Sequence, residues 1–126
     1  MNSANTSLEE IAPEDRRLVV AVVEKVQEEG RKWIDARLEK VENPRIVWSW
    51  TSLDENSPAT ASMVRKIFEQ DELRQFETMS GLTDERLVGR LAILWPQILK
   101  RLAPLGKLPA DRILKIQAAE LRRKLA

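Results

Sequence analysis

Chemistry in this chain of 126 residues must be built from carboxylates, amines, guanidines, hydroxyls and indoles, because it has no histidine, cysteine or tyrosine. That inventory excludes the Ser-His-Asp and Cys-His arrangements, a histidine general base and nearly every zinc or non-haem iron site. Two carboxylate pairs, Glu24 with Glu28 and Asp35 with Glu39, have the spacing that sets both members on one helix face. A carboxylate di-metal site would use such pairs, but it also needs Glu-x-x-His from two helices. With Arg31, Arg37 and Lys40 nearby, these acids are expected to form ion pairs instead. The four glycines are isolated, so no phosphate-cradling loop exists, and there is no Ser-x-x-Lys motif. The expectation is a protein that is not an enzyme and carries neither metal nor cofactor.

Binding chemistry is better supplied. Four tryptophans are a rich complement for this length, and tryptophan is enriched at binding hot spots. Trp33 and Trp50 fall on core-type helix positions. Trp48 either reaches a second layer of the fold or stands exposed, and Trp95 sits in the most apolar stretch, Leu91 to Pro109, beside Pro96. Trp48, Trp95, Leu105, Lys100 and Arg101 are therefore the candidate partner-binding residues. They suggest a groove beside Trp95 that takes a partner helix or a second copy of the chain. Charge offers a second reading. Residues 1–99 hold 13 basic and 18 acidic side chains, a net of −5, whereas residues 100–126 hold 8 and 2, a net of +6. Lys107, Arg112, Lys115, Arg122 and Arg123 could contact phosphates, which makes weak nucleic-acid binding through the C-terminal helices the alternative function. Against it, Arg122 to Lys124 must diverge around a helix and no aromatic is interleaved. The basic end could equally complement the protein's own acidic half.

The elements that must carry these residues are helical throughout. Met1 to Ser7 is small and polar, and residues 1–10 are expected to be a disordered tail, with capping-box spacing between Ser7 and Glu10. Pro13 opens a first helix whose stripe of Leu18, Val19, Val22, Val23 and Val26 keeps helical spacing despite its β-branched residues, and Gly30 stops it. A second helix runs from Arg31 to about Glu42 on Trp33, Ile34, Leu38 and Val41. Asn43 caps a third that begins at Pro44 and presents Ile46, Val47, Trp50 and Leu53. After the polar segment Asp54 to Ser62, Ser57 is expected to cap a fourth helix carrying Met63, Val64, Ile67 and Phe68, and Asp71 a short fifth that ends at Gly81. Thr83 caps a sixth that should break at Pro96, with a separate seventh over Pro96 to Ala103. Asp111 opens a last amphipathic helix with Ile113, Leu114, Ile116, Leu121 and Leu125.

This order predicts an all-α fold of about seven to eight short helices. The domain is expected over 11–126, in small subdomains of about 11–55 and 56–126. The longest apolar run in the first half, Leu18 to Val23, falls far short of the ~20 residues of a spanning helix, and the acidic start resembles no signal peptide, so the cytoplasm is the expected location.

The arrangement resembles the bacterial YidB-like family of small helical proteins of unknown function. The match rests on Gly81-Leu82 before a helix running into Leu94-Trp95-Pro96, on Ile98 and Leu102 leading into the turn Ala103 to Pro109, and more weakly on Glu28-Glu29-Gly30 and Trp48 to Ser57. It spans Leu18 to about Leu125. Lys100 stands where the family often has an acid, Ala103 replaces a hydroxyl, and Leu105 sits where a polar residue is common. The resemblance implies two small helical subdomains and no particular activity. The partner, including a homo-oligomeric one, stays unidentified at this level.

Overall fold

The computed structural model describes Leu8 and residues 11–52 and 57–125. Of the expected disordered tail only Leu8 is described, and it is buried in the core; the rest of the tail, the Ser7–Glu10 cap and the place of Leu53 lie outside the described residues. Seven helices follow in order, and no strand occurs among the described residues: α1 (Pro13–Glu29), α2 (Arg31–Leu38), α3 (Pro44–Thr51), α4 (Ala61–Ile67), α5 (Gln70–Ser80), α6 (Asp84–Leu102) and α7 (Asp111–Leu125).

Helix α1 is the central pillar. Pro13 sits in its first turn with Glu14 and Asp15 near the positive end of the helix dipole, and the five stripe residues Leu18, Val19, Val22, Val23 and Val26 are all buried. Burial at roughly 1.5–3 kcal/mol per large apolar side chain outweighs the few tenths lost to each β-branched residue's helix propensity. The helix ends where Gly30 takes a φ of 76°, its N–H bonded to the Val26 carbonyl at 2.7 Å. Against this pillar pack α5 and α7, while α6 lies over α3 and α4. Polar ties reinforce the apolar contacts. Arg90 of α6 grips buried Asp15 through two bonds of 3.0 and 2.7 Å, and Arg17 donates to the Ser80 carbonyl at the end of α5.

Four expectations are corrected. Helix α6 does not break at Pro96 but runs through it to Leu102, so there is no separate helix over Pro96 to Ala103. An interior proline costs ~3 kcal/mol, and Trp95, Pro96, Ile98, Leu99 and Leu102 are all buried, which more than offsets it. Helix α2 stops at Leu38, four residues early, leaving Leu38 and Val41 half-buried. Helix α4 is capped by Thr60, which accepts from the Met63 N–H at 3.2 Å, and not by Ser57. Helix α5 begins at Gln70 with Glu69 as its cap, not Asp71; the Glu72 carboxylate reaches back to the Glu69 N–H at 3.0 Å.

The core is one cluster of buried side chains contributed by every helix. Its densest part is aromatic: Trp33, Phe68, Phe76 and Trp95, with neighbouring ring centroids 5.0 to 6.1 Å apart and mostly edge-on.

Candidate interaction groove

The tryptophans separate sharply. Trp33, Trp50 and Trp95 are buried, whereas Trp48 is 50% exposed. Trp95 lies wholly within the aromatic cluster, so the groove expected beside it does not exist; its indole N–H has no hydrogen-bond partner among the described residues. Trp50 is locked inward by donating to the Ser57 carbonyl at 2.9 Å. Trp48, two residues earlier on a short helix, projects roughly 160° away and meets solvent.

There it lines an open groove of about 660 Å³ between α2, α3 and the turn that precedes α7. Leu38, Val41, Val47 and Leu108, all half-buried, make its apolar surface together with Trp48. The early stop of α2 creates this space, because the chain turns away at Glu39 and Lys40 instead of continuing over Val41. Arg31 closes one end. Its guanidinium bonds Asp35 at 3.1 Å and the carbonyls of Leu108 and Pro109 at 3.2 and 2.8 Å, which fastens the turn to α2. Glu42 on the rim pairs with Lys66 at 2.8 Å, and that lysine holds its carboxyl below the usual carboxylate range. Glu39 and Lys107, also on the lining, make no ion pair among the described residues.

Behind the groove, Lys100 serves the fold. Its ammonium donates to the carbonyls of Ser49 and Ser52 at 2.7 and 2.8 Å, at the C-terminal end of α3, where a cation complements the helix dipole. Burial pushes this lysine below its ordinary value. Arg101, next to it on α6, is half-buried and also engaged. Leu105, at the tip of the turn, is 84% exposed.

The basic end is largely answered from within. Arg122 meets Glu24 of α1 at 2.8 Å, Lys115 meets Asp111, and Arg123 meets Glu120. Lys107 and Arg112 are exposed and without ion pairs among the described residues. The carboxylate pairs behave likewise: Asp35 bonds Arg31 and Glu24 bonds Arg122, and no group of three or more potential metal ligands occurs among the described residues. Ile113 and Ile116, expected on the packed face of α7, are instead 51% and 56% exposed, because the inner face is filled by Leu114, Ala118, Leu121 and Leu125.

Sequence reasoning missed the groove itself. Its signal was present only as surplus apolar residues on the two elements that flank it, Leu38 and Val41 at the end of the second helix's expected stripe and Val47 and Trp48 on the third helix.

The seven helices among the described residues share one core and define an all-α multihelical protein with an apolar groove on its surface. The model of the YidB-like protein family matches residues 19–111, and the chain belongs to that family. The match contains every groove-lining residue and ends at the first residue of α7. No curated protein and no solved structure matches the chain. No helix among the described residues is long and apolar enough to cross a membrane.

Proposed function

We propose that this protein is a non-enzymatic interaction module that takes an amphipathic helix of a partner protein into the Trp48 groove. The observation that carries the reading is the half-exposed Trp48 set on an apolar surface while the other three tryptophans are used in the core. An exposed tryptophan beside Leu38, Val41, Val47 and Leu108 offers the aromatic anchor that interfaces favour, and the groove shape suits apolar residues at helical spacing. Charge selects the occupant further: with Asp35, Glu39 and Glu42 against Arg31 and Lys107, the lining has one excess acid, and Glu39, without an ion pair among the described residues, calls for a cation on the incoming helix. The cysteine-free composition is in keeping with action in a bacterial cytoplasm. Nucleic-acid binding has less support, because Arg122 is engaged with Glu24 of α1 and no aromatic is interleaved among the basic residues to stack a base.

The test is a polarisation titration with a labelled synthetic amphipathic helix of leucine, lysine and glutamate. Saturable binding is expected, weakened at least about tenfold, or ~1.4 kcal/mol, by Trp48→Ala and by Glu39→Lys, but not by Met79→Ser on α5. Equal binding by the Trp48→Ala protein would sink the reading. Salt-dependent binding of a labelled duplex or single strand, with no binding of the helix, would move it to nucleic acid.

A further inference from the structure

The outer face of α7 carries what the groove lacks, and we infer that the helix taken into the Trp48 groove is α7 of a second copy of this chain, exchanged reciprocally in a twofold dimer. The inference rests on the reading of the groove as a helix-binding surface and names its partner.

Helix α7 is apolar on two sides. Leu114, Ala118, Leu121 and Leu125 face the core, while Ile113 and Ile116 stand more than half exposed on the other side. Arg112, Ile113, Ile116 and Glu120 form one stripe over a little more than two turns, about 12 Å long. The stripe has a cation at its start, two isoleucines in the middle and an acid at its end.

The charges are opposite in sign at both ends. The groove's two side chains without ion pairs among the described residues are Glu39 and Lys107. On the stripe, Arg112 has no ion pair among the described residues, and Glu120 has only an exposed contact of 3.7 Å with Arg123. Seating the stripe in a neighbour's groove sets Arg112 against Glu39 and Glu120 against Lys107, with Ile113 and Ile116 on Trp48. Reversing the helix would oppose like charges, so the pattern also specifies direction.

Position makes the exchange reciprocal. Lys107 and Leu108 line the groove, and Asp111 accepts the Arg31 N–H at 2.7 Å, so α7 starts at the rim of its own groove. It cannot fold back into that groove, because its inner face is held on α1 through the core and the Arg122–Glu24 pair. Two surfaces side by side on one chain, each complementary to the other, satisfy the self-complementarity of a twofold interface. Apolar exposure is concentrated on the same segments. Among the described residues, six large hydrophobics are exposed; Trp48, Leu105, Ile113 and Ile116 lie in the groove, on the turn or on α7, and only Met79 and Ile93 lie elsewhere.

Sedimentation equilibrium on the full chain tests this. Wild type is expected to self-associate with rising concentration. Trp48→Ala alone and the Ile113→Ser/Ile116→Ser pair alone should each remain monomeric with an unchanged helical circular-dichroism spectrum. An equimolar mixture of the two should regain association, because each supplies the half that the other lacks. Glu39→Arg and Arg112→Glu should each weaken dimerisation at least tenfold, and combining them in one chain should restore it. A wild type that stays monomeric, variants that associate as wild type does, or a mixture that regains nothing would overturn the inference. If a monomeric wild type still binds the synthetic helix in a Trp48-dependent way, only the choice of partner has failed; if it binds neither, the groove reading fails too.

Discussion

Glu72 is the residue on which most buried polar contacts converge. It accepts from the Trp33 indole, from Arg37 at 2.7 and 2.6 Å and from the Glu69 N–H, and the Arg37 and Glu72 side chains are 8% and 11% exposed. The Arg37 guanidinium also lies 5.4 Å from the Trp33 ring centroid. Removing one member of such a pair leaves a charge without compensation in the interior. Glu72→Ala is expected to cost ~3–5 kcal/mol in urea denaturation, whereas Glu72→Leu combined with Arg37→Met should recover most of that loss. Equal losses in both proteins would show that packing, not charge, dominates there. The bonds from Trp33 and Arg37 were not legible in the sequence, because those partners lie 39 and 35 residues from Glu72 on a different helix. Trp48 and Trp95 teach the same lesson: an indole's neighbours decide its exposure, and neither tryptophan's local sequence differs enough to announce them.

At the scale of elements, the boundaries that depend on backbone chemistry were legible. Pro13, Gly30, the Asn43–Pro44 pair, Gly81 and Thr83 all stand where the sequence places them. Gly30 and Gly89 show how differently two glycines act. Gly30 combines φ 76° with ψ −154°, a region essentially reserved for glycine, and an added Cβ would lie 2.0 Å from the Asp111 carboxylate. Gly89 lies inside α6 with nothing within 4 Å of an added Cβ. Thermal denaturation should therefore find Gly30→Ala destabilised by about 2 kcal/mol or more and Gly89→Ala stabilised by roughly 0.5–1 kcal/mol. A neutral Gly30→Ala would mean that the α1–α2 junction can reform without its present geometry. The Pro96 break failed as an expectation because local cost was weighed without the burial on either side of it.

For the whole molecule, the joint between the first two helices and the last is an acid. The Arg31 N–H bonds the Asp111 carboxylate across 80 residues of chain and holds it below the ordinary carboxylate value, helped by Lys115 and Lys32. Lys25 and Lys66 hold Glu29 and Glu42 low in the same way. A carboxylate held low in the folded state contributes stability that is complete above its unfolded value, about 3.9 for an aspartate, and is lost as pH falls through the lower folded value. Between about pH 5 and about pH 2, wild type should therefore lose more thermal stability than Asp111→Asn, which has no charge there to lose. Parallel losses would remove Asp111 as a contributor. The opposite net charges of residues 1–99 and 100–126 also meet at this scale, through Arg122 of α7 and Glu24 of α1. The helical class, the family resemblance and most helix ends were readable along the chain, because spacing, proline, glycine and caps act within a few residues of themselves. Long-range packing settled that α6 passes through Pro96, that Lys100 closes α3, that Trp95 is core and Trp48 surface, and that a groove opens beside α7. Each of those depends on atoms brought together from distant parts of the chain, and no local pattern encodes which distant atoms they will be.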